Sequence, residues 1–202
     1  MKPRWKQRPP GSNWGEFGPD DQRGRMNLVT REKVLQGIAE VKEGITFCLS
    51  LPLDYPGGSV LNPRRSPPRL ASTLRGGKQN FCFPLAAENP DPKLLHGTCS
   101  GLDGRDARLL QWISDSGLAC LIADNYAVEI IPTSLASPRP HASMPLHEHC
   151  IFKNGIHLGE LWYLTALARW LREHGRNRFL LTAPPLRLPG AVGSPATPIA
   201  TV

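Results

Sequence analysis

Apolar residues recur at helical spacing in three segments of the chain. The first segment follows Thr30, a residue suited to cap a helix, and ends before Gly44, so we predict a helix over 30–43. Two further segments have the same period and predict helices over 103–116 and 160–174. The last of these is the strongest, because leucines recur along one face of it.

Apolar runs of strand length lie between and beside these helices. They predict strands over 45–51, 118–124 and 178–184. The run LACLIAD at 118–124 is continuously apolar, which is typical of a strand covered on both faces. Alternation of helix and strand indicates an α/β protein with a mixed sheet and flanking helices.

Two proline-rich regions carry no hydrophobic period. We expect residues 55–79 to be an extended and poorly packed arm, because loops of that length without structure are uncommon in compact domains. The C-terminal segment 184–202 is rich in proline and glycine and is predicted to wrap around the surface.

The net charge of +7 is confined to the first part of the chain. Residues 1–78 hold 14 Lys and Arg against 7 Asp and Glu, and the remainder is balanced. A basic arm can meet nucleic acid, but no run of basic residues exceeds two, so a nucleic-acid partner is not favoured. We predict a basic N-terminal arm over 1–13 and a single domain over 14–202.

The cysteines and the hydropathy suggest a cellular location. The five cysteines form no C-x-x-C pair. Three of them lie in apolar runs and are predicted to be buried free thiols of a reducing compartment: Cys48, Cys120 and Cys150. The N-terminus has no apolar signal region, and no apolar stretch reaches 18 residues. We therefore expect a cytoplasmic protein without a membrane partner.

Histidines and a carboxylate cluster in the segment LHEHCIFKNGIHLGELW at 146–162. Such clustering suits a metal site or a proton-transfer site. His147 and His149 alternate, so they would share one side of an extended segment; the alternative is a pair of partly exposed loop histidines. Glu160 is predicted to open a helix, either as an acid favoured by the helix dipole or as a ligating or catalytic carboxylate.

Asp124 ends the apolar strand at 118–124 and precedes Asn125. Polar residues at the carboxyl end of such a strand often line the crevice of an α/β sheet. In the alternative, Asp124 and Asn125 form a turn by bonding their own backbone. The pattern does not favour either interpretation over the other.

Several long segments, in order, resemble the cyclase family that includes bacterial kynurenine formamidase. They are WGEFGPDDQRGRMNLVT at 14–30, ADNYAVE at 123–129, GIHLGELW at 155–162 and APPLRLPGAVGSP at 183–195. The resemblance implies a metal-dependent hydrolase of amide or related bonds, such as the formamide of N-formylkynurenine in tryptophan catabolism. It also implies a swivelling β/α fold, a small-molecule substrate and a homodimer.

The resemblance implies roles for three residues. By position, His147 and Glu160 match the family's later ligand pair for a divalent metal, zinc or manganese, and can act as catalytic acid or base. Asp124 would orient the site as a third catalytic residue.

The family's early ligand motif, H-x-G-T-H-x-D, does not occur in this chain. The segment LHGTCSGLD at 95–103 holds His-Gly-Thr without the second histidine. Family members are also longer, so an internal segment that carries this motif is expected to be missing near 92–94. Because two ligands rarely hold a catalytic metal, we expect little or no formamidase turnover by this chain alone. The alternative is a non-catalytic remnant that serves as a binding or structural protein.

Overall fold

The structure, a computed structural model, describes residues 5–52, 100–130, 142–191 and 193–202. The chain divides into two compact units: Met1–Arg31 with Ser100–Glu160, and Glu32–Cys99 with Leu161–Val202. The predicted arm at 55–79 and the predicted missing segment near 92–94 lie outside the described residues.

Helices and strands alternate along the described chain. The helices are α1 (Arg31–Ala39), α2 (Ala107–Asp115), α3 (Pro145–His147) and α4 (Thr165–Glu173). The strands are β1 (Thr46–Cys48), β2 (Cys120–Ile122), β3 (His157–Gly159), β4 (Leu180–Thr182) and β5 (Ile199–Thr201). A 3-10 helix covers Gly24–Leu28, and a π-helix, Glu148–Lys153, continues α3.

These elements confirm the predicted α/β class. Helices α1, α2 and α4 and strands β1, β2 and β4 all lie within the predicted spans. Three boundaries are corrected. Helix α4 begins at Thr165 rather than at residue 160, and α2 begins at Ala107 rather than at residue 103. Helix α1 ends at Ala39, before the glycine that was expected to terminate it.

The first unit is built on the parallel pair β2 and β3, with Leu121 opposite Leu158. Helix α2 begins where the Asp106 carboxylate accepts hydrogen bonds from two backbone N–H groups of its first turn. The buried core of the first unit consists of side chains from α2, α3, the π-helix and nearby loops: Ile113, Val128, Leu146, Cys150 and Ile156. This core supports the segment that carries the histidines.

The second unit holds an antiparallel sheet in the order β1-β5-β4. Strand β5 is its middle strand, and Ala200 lies opposite both Phe47 and Leu181. The prediction that the whole segment 184–202 wraps the surface is therefore wrong for its last residues. Ala200 and Val202 are fully buried, so the end of this segment belongs to the core of the second unit.

Hydrogen bonds attach the end of the N-terminal segment to the first unit. The backbone N–H of Asn13 donates to the Lys153 carbonyl (3.0 Å), and the Trp14 indole donates to the Phe152 carbonyl (2.7 Å). The division into an arm over 1–13 and one domain over 14–202 stays a prediction.

The cysteines in the described ranges are unpaired. Cys150 is buried, as predicted, and burial raises the pKa of its thiol to about 12. Cys48 is exposed, so the prediction of a buried thiol is wrong there. Each described helix is too short or too polar to cross a membrane.

Candidate functional site

His147 lies between two carboxylates in the first unit. Its Nδ1 is 2.7 Å from Oε1 of Glu129, and its Nε2 is 3.3 Å from Oε1 of Glu160. The structure thus brings together the predicted pair His147 and Glu160, and it adds a third residue that the sequence did not single out.

Glu129 is the most buried member of this cluster, with no exposed side-chain surface. Its carboxylate accepts hydrogen bonds from the backbone N–H groups of Leu146 and His147, both at 3.0 Å, and from the His147 ring. The two N–H groups belong to the first turn of α3, where they have no partner within the helix. Glu129 therefore caps α3 from a distant loop and fixes the ring at the same time.

The proline at the start of α3 contributes to this geometry. Pro145 occupies the first helical position, where its fixed φ and missing N–H cost nothing. His147 follows two residues later, with its backbone N–H and its ring both directed at Glu129. The start of this short helix therefore fixes the position of the His147 side chain.

Glu160 directly follows β3, at the carboxyl end of a parallel strand pair. The prediction that it opens a helix is wrong, because α4 begins five residues later. Its Oε2 accepts a hydrogen bond from the Ala127 N–H (3.0 Å), and its Oε1 faces His147. Glu160 thus occupies the carboxyl end of a parallel strand, a position from which side chains often line the crevice of an α/β sheet.

The loop that carries Glu129 and donates a hydrogen bond to Glu160 has an unusual backbone. Ala127 and Val128 adopt φ values of 63° and 61°, in the left-handed region that favours glycine. Each such residue costs about 1–3 kcal/mol, and a β-branched residue there is a clear outlier. Both side chains are 1% exposed, so buried packing supports this conformation.

The close approach of Gly104 also shapes the site. A Cβ at that position would lie 2.8 Å from Oε2 of Glu129 and 2.5 Å from the Leu146 backbone nitrogen. Only a residue without a side chain allows the chain to pass so near this carboxylate. Backbone thus closes one side of the cluster.

Asp124 lies two residues beyond β2, at the same sheet edge as Glu160. Burial raises the pKa of its carboxyl group. Within the described residues, the hydrogen bonds of His147 and Glu160 do not include Asp124. The neighbouring Asn125 amide donates to the Tyr126 carbonyl (3.1 Å), which is a local turn contact of the kind the alternative interpretation describes. A catalytic or orienting role for Asp124 stays a prediction.

The two carboxylates determine the charge of His147. Hydrogen bonds to Glu129 and then to Glu160 raise its pKa to about 9, against the opposing effect of partial burial. The hydrogen bond from His147 lowers the pKa of Glu160. At neutral pH the cluster therefore holds an imidazolium between two carboxylates.

His149 is directed away from this cluster. Its Nε2 is 3.0 Å from the hydroxyl of Ser114 on α2, and burial lowers its pKa. Because the segment is helical rather than extended, residues two apart lie on nearly opposite faces. The interpretation that His147 and His149 share one side is therefore wrong.

The donor set falls short of a metal site in the described part of the chain. His147 has the usual arrangement of a metal-ligating histidine, with one ring nitrogen held by a carboxylate and the other directed at Glu160. A catalytic zinc needs three protein ligands, and no group of three suitable residues converges within the described ranges. The described residues alone do not fit a zinc or manganese ion, and its presence stays a prediction.

One signal in the sequence could have identified Glu129. It is a charged residue flanked by Val128 and Ile130, at the end of the segment ADNYAVE. A carboxylate enclosed by apolar neighbours is rarely buried without a partner. That partner, His147, is 18 residues away in the chain, so only the fold reveals it.

Comparisons with known proteins agree with this fold. No protein-family model and no curated protein matches the sequence. The structure is similar to a crystal structure described as that of a novel cyclase, with a TM-score of 0.63 over 95% of this chain and 99% of that chain. The two sequences are 21% identical. This chain therefore has the fold of that cyclase.

Proposed function

We propose that this chain is a hydrolase of the cyclase family that cleaves the carbon–nitrogen bond of an amide. The proposed substrate class is the aryl formamides, of which N-formylkynurenine is an example. The cyclase fold and the sequence segments that resemble the family support this assignment.

One observation carries the proposal: the imidazole of His147 lies between a buried carboxylate and a partly exposed one. His147 bonds the fully buried Glu129 on one side and faces Glu160, whose side chain is 30% exposed, on the other. Perturbed pKa values and strained backbone both cluster at functional sites, and both occur here, at His147 and at Ala127 and Val128. These features favour proton transfer as the task of the cluster.

Formamide hydrolysis requires a base for the attacking water and an acid for the departing nitrogen. Glu160 is a carboxylate at neutral pH, because the His147 hydrogen bond lowers its pKa, so it can accept the proton of water. The oxygen then adds to the formyl carbon, and the carbon–nitrogen bond breaks as the amine takes a proton from Nε2 of His147. The 3.3 Å distance from Nε2 to Glu160 is long for a charge-assisted bond, so this proton is available for transfer.

Glu129 keeps the ring in place during this cycle. It accepts a hydrogen bond from the His147 Nδ1–H and is itself held by two backbone N–H groups, so the proton exchanged with substrate is the one on Nε2. After the amine leaves, the proton taken up by Glu160 returns to Nε2, and the products, formic acid and the amine, account for all atoms of water and substrate.

A divalent metal ion belongs to the proposal only if further ligands complete its site. Metal binding to Nε2 would first require loss of its proton, which the high pKa of His147 opposes at neutral pH. The described residues bring two donors, so we expect slow turnover with or without added zinc or manganese.

The test is hydrolysis of an N-formyl aryl amide by the purified chain. We expect a slow rate above the uncatalysed one, which falls at least about tenfold in His147→Gln and in Glu160→Gln. The matched control is His157→Gln, because His157 is exposed on β3. The control should keep the wild-type rate.

Equal rates for the wild type and the two site variants would overturn the proposal and favour a non-catalytic remnant. Fast, metal-dependent turnover that a variant carrying both His147→Gln and Glu160→Gln abolishes would instead mean that further ligands complete the site. Added metal should be compared with chelator in each assay, so that these outcomes are separated.

A further inference from the structure

We propose that the left-handed turn at Ala127 and Val128 is a positioning element that holds the carboxylates of Glu129 and Glu160 on either side of His147. This inference deepens the proposed function and rests on it for its purpose, although the geometry can be tested without substrate. It assigns a role to two apolar residues that contact no substrate.

The turn is connected directly to both carboxylates. The Ala127 N–H donates to Oε2 of Glu160 at 3.0 Å, and Glu129 follows Val128 in the chain. With the usual negative φ at Ala127 and Val128, the N–H and the Glu129 side chain would point elsewhere. The direction of both groups therefore depends on these two backbone angles.

Backbone hydrogen bonds with Leu102 hold the turn in place. The Leu102 N–H donates to the Val128 carbonyl (3.0 Å), and the Leu102 carbonyl accepts from the Ile130 N–H (2.9 Å). Inside the turn, the Glu129 N–H donates to the Ala127 carbonyl (2.6 Å). Several hydrogen bonds thus hold the strained conformation, which is the condition under which such a backbone persists.

Glycine would be the usual residue for these angles, and both positions depart from that rule. Val128 packs in the buried core of the first unit, so its side chain has a packing role. Ala127 contributes only a methyl group, and its replacement by glycine would remove strain at small packing cost. Sites where local preference is broken are commonly functional ones.

The experiment compares Ala127→Gly with Ala107→Gly, which places the same change on the exposed first residue of α2. The first readout is thermal unfolding. We expect the melting temperature of Ala127→Gly to be unchanged or raised by about 2 °C, because strain is relieved. The melting temperature of the control should fall by about 2 °C, because glycine there raises the entropy of the unfolded chain and lowers the helix propensity.

The second readout is solvent exchange of the His147 ring N–H proton bonded to Glu129, observed by NMR and assigned by its loss in His147→Gln. Glycine readily adopts the same positive φ, so a positioning role predicts unchanged exchange in Ala127→Gly and in the control. Ala127→Pro, which fixes a negative φ and removes the N–H that donates to Glu160, should exchange about tenfold faster. A turn that served only stability would give Ala127→Pro no faster exchange than Ile113→Ala, a core variant of the same unit, at equal stability.

Unchanged exchange in Ala127→Pro would overturn the proposal, and so would a loss of stability in Ala127→Gly equal to that of the control. If Ala127→Gly does not fold, the strain argument fails as well, because relief of strain cannot unfold the chain. Neither readout uses substrate. Absence of formamide hydrolysis would therefore defeat the proposed function while leaving this test intact.

Discussion

His147 and His149 are two residues apart and have opposite electrostatic environments. His147 lies between two carboxylates, and its pKa rises to about 9. His149 faces the Ser114 hydroxyl, and burial with the nearby Lys153 charge lowers its pKa. Partial burial opposes the charged form of both rings, so the difference comes from the partners rather than from depth in the protein.

The contrast shows how one helical segment places two histidines in different electrostatic environments. One histidine is directed at the sheet edge and bonds acids from distant loops, while the other links α3 and its π-helical extension to α2. A charged and a neutral imidazole can therefore coexist within one turn at neutral pH. The following predictions test that contrast, from the largest expected effect to the smallest.

Replacement of Glu129 should have the largest effect. In Glu129→Gln the imidazolium loses its buried counter-charge, and the first-turn N–H groups of α3 lose a carboxylate acceptor. Removing one partner of a buried pair typically costs about 3–5 kcal/mol, so we expect a loss of about 4 kcal/mol in urea unfolding. A loss below about 1 kcal/mol would mean that His147 is neutral in the folded protein.

The pH dependence of stability should differ between the wild type and His147→Gln. A pKa raised from 6.5 to about 9 stabilises the fold fully below pH 6.5, and this contribution disappears as pH rises to about 9. The shift corresponds to about 3 kcal/mol. Urea unfolding from pH 6 to 9.5 measures it as the difference between the two proteins, and parallel curves would refute the raised pKa.

Ser114→Ala should have a smaller effect. The variant removes the hydroxyl that faces Nε2 of His149 and that also donates to the Leu110 carbonyl within α2. A neutral hydrogen bond of this kind contributes about 1 kcal/mol. Equilibrium unfolding should show a loss of that size, without any change in the pH dependence that His147 causes.

The smallest expected effect is the pH response of His149, and it has the opposite sign. Its lowered pKa favours the neutral ring, so its contribution is present above pH 6.5 and is lost as pH falls below that value. The stability of His149→Gln relative to the wild type should therefore improve as pH falls from 7 to 5. A relative decline over that range would contradict the burial of this ring.

Strong hydrophobic periods were sufficient to predict part of the fold. Helices α1, α2 and α4 have three or more apolar residues at helical spacing, and β2 lies in a continuous apolar run. Strand β3 was missed because its three residues, HLG, include a histidine and a glycine, which give no strand pattern. Strand β5 was missed because its neighbours are prolines and glycines.

The candidate site was only partly predictable for a related reason. His147 and Glu160 lie in one segment, and the resemblance to the cyclase family marks both. The apolar neighbours of Glu129 indicate burial but not its role, because its partners are the first turn of α3 and a ring 18 residues away. The left-handed turn was not predictable either, since alanine and valine are the residues least expected at positive φ.

The middle position of β5 in the second unit has a consequence for folding order. Thr46 and Leu180 both pair with Thr201, so the sheet cannot close until residue 201 is available. During synthesis, β1 must wait for a partner more than 150 residues later in the chain, with an unpaired edge in the meantime. Pairings of such sequence separation form slowly, so this sheet is expected to form late in the folding of its unit.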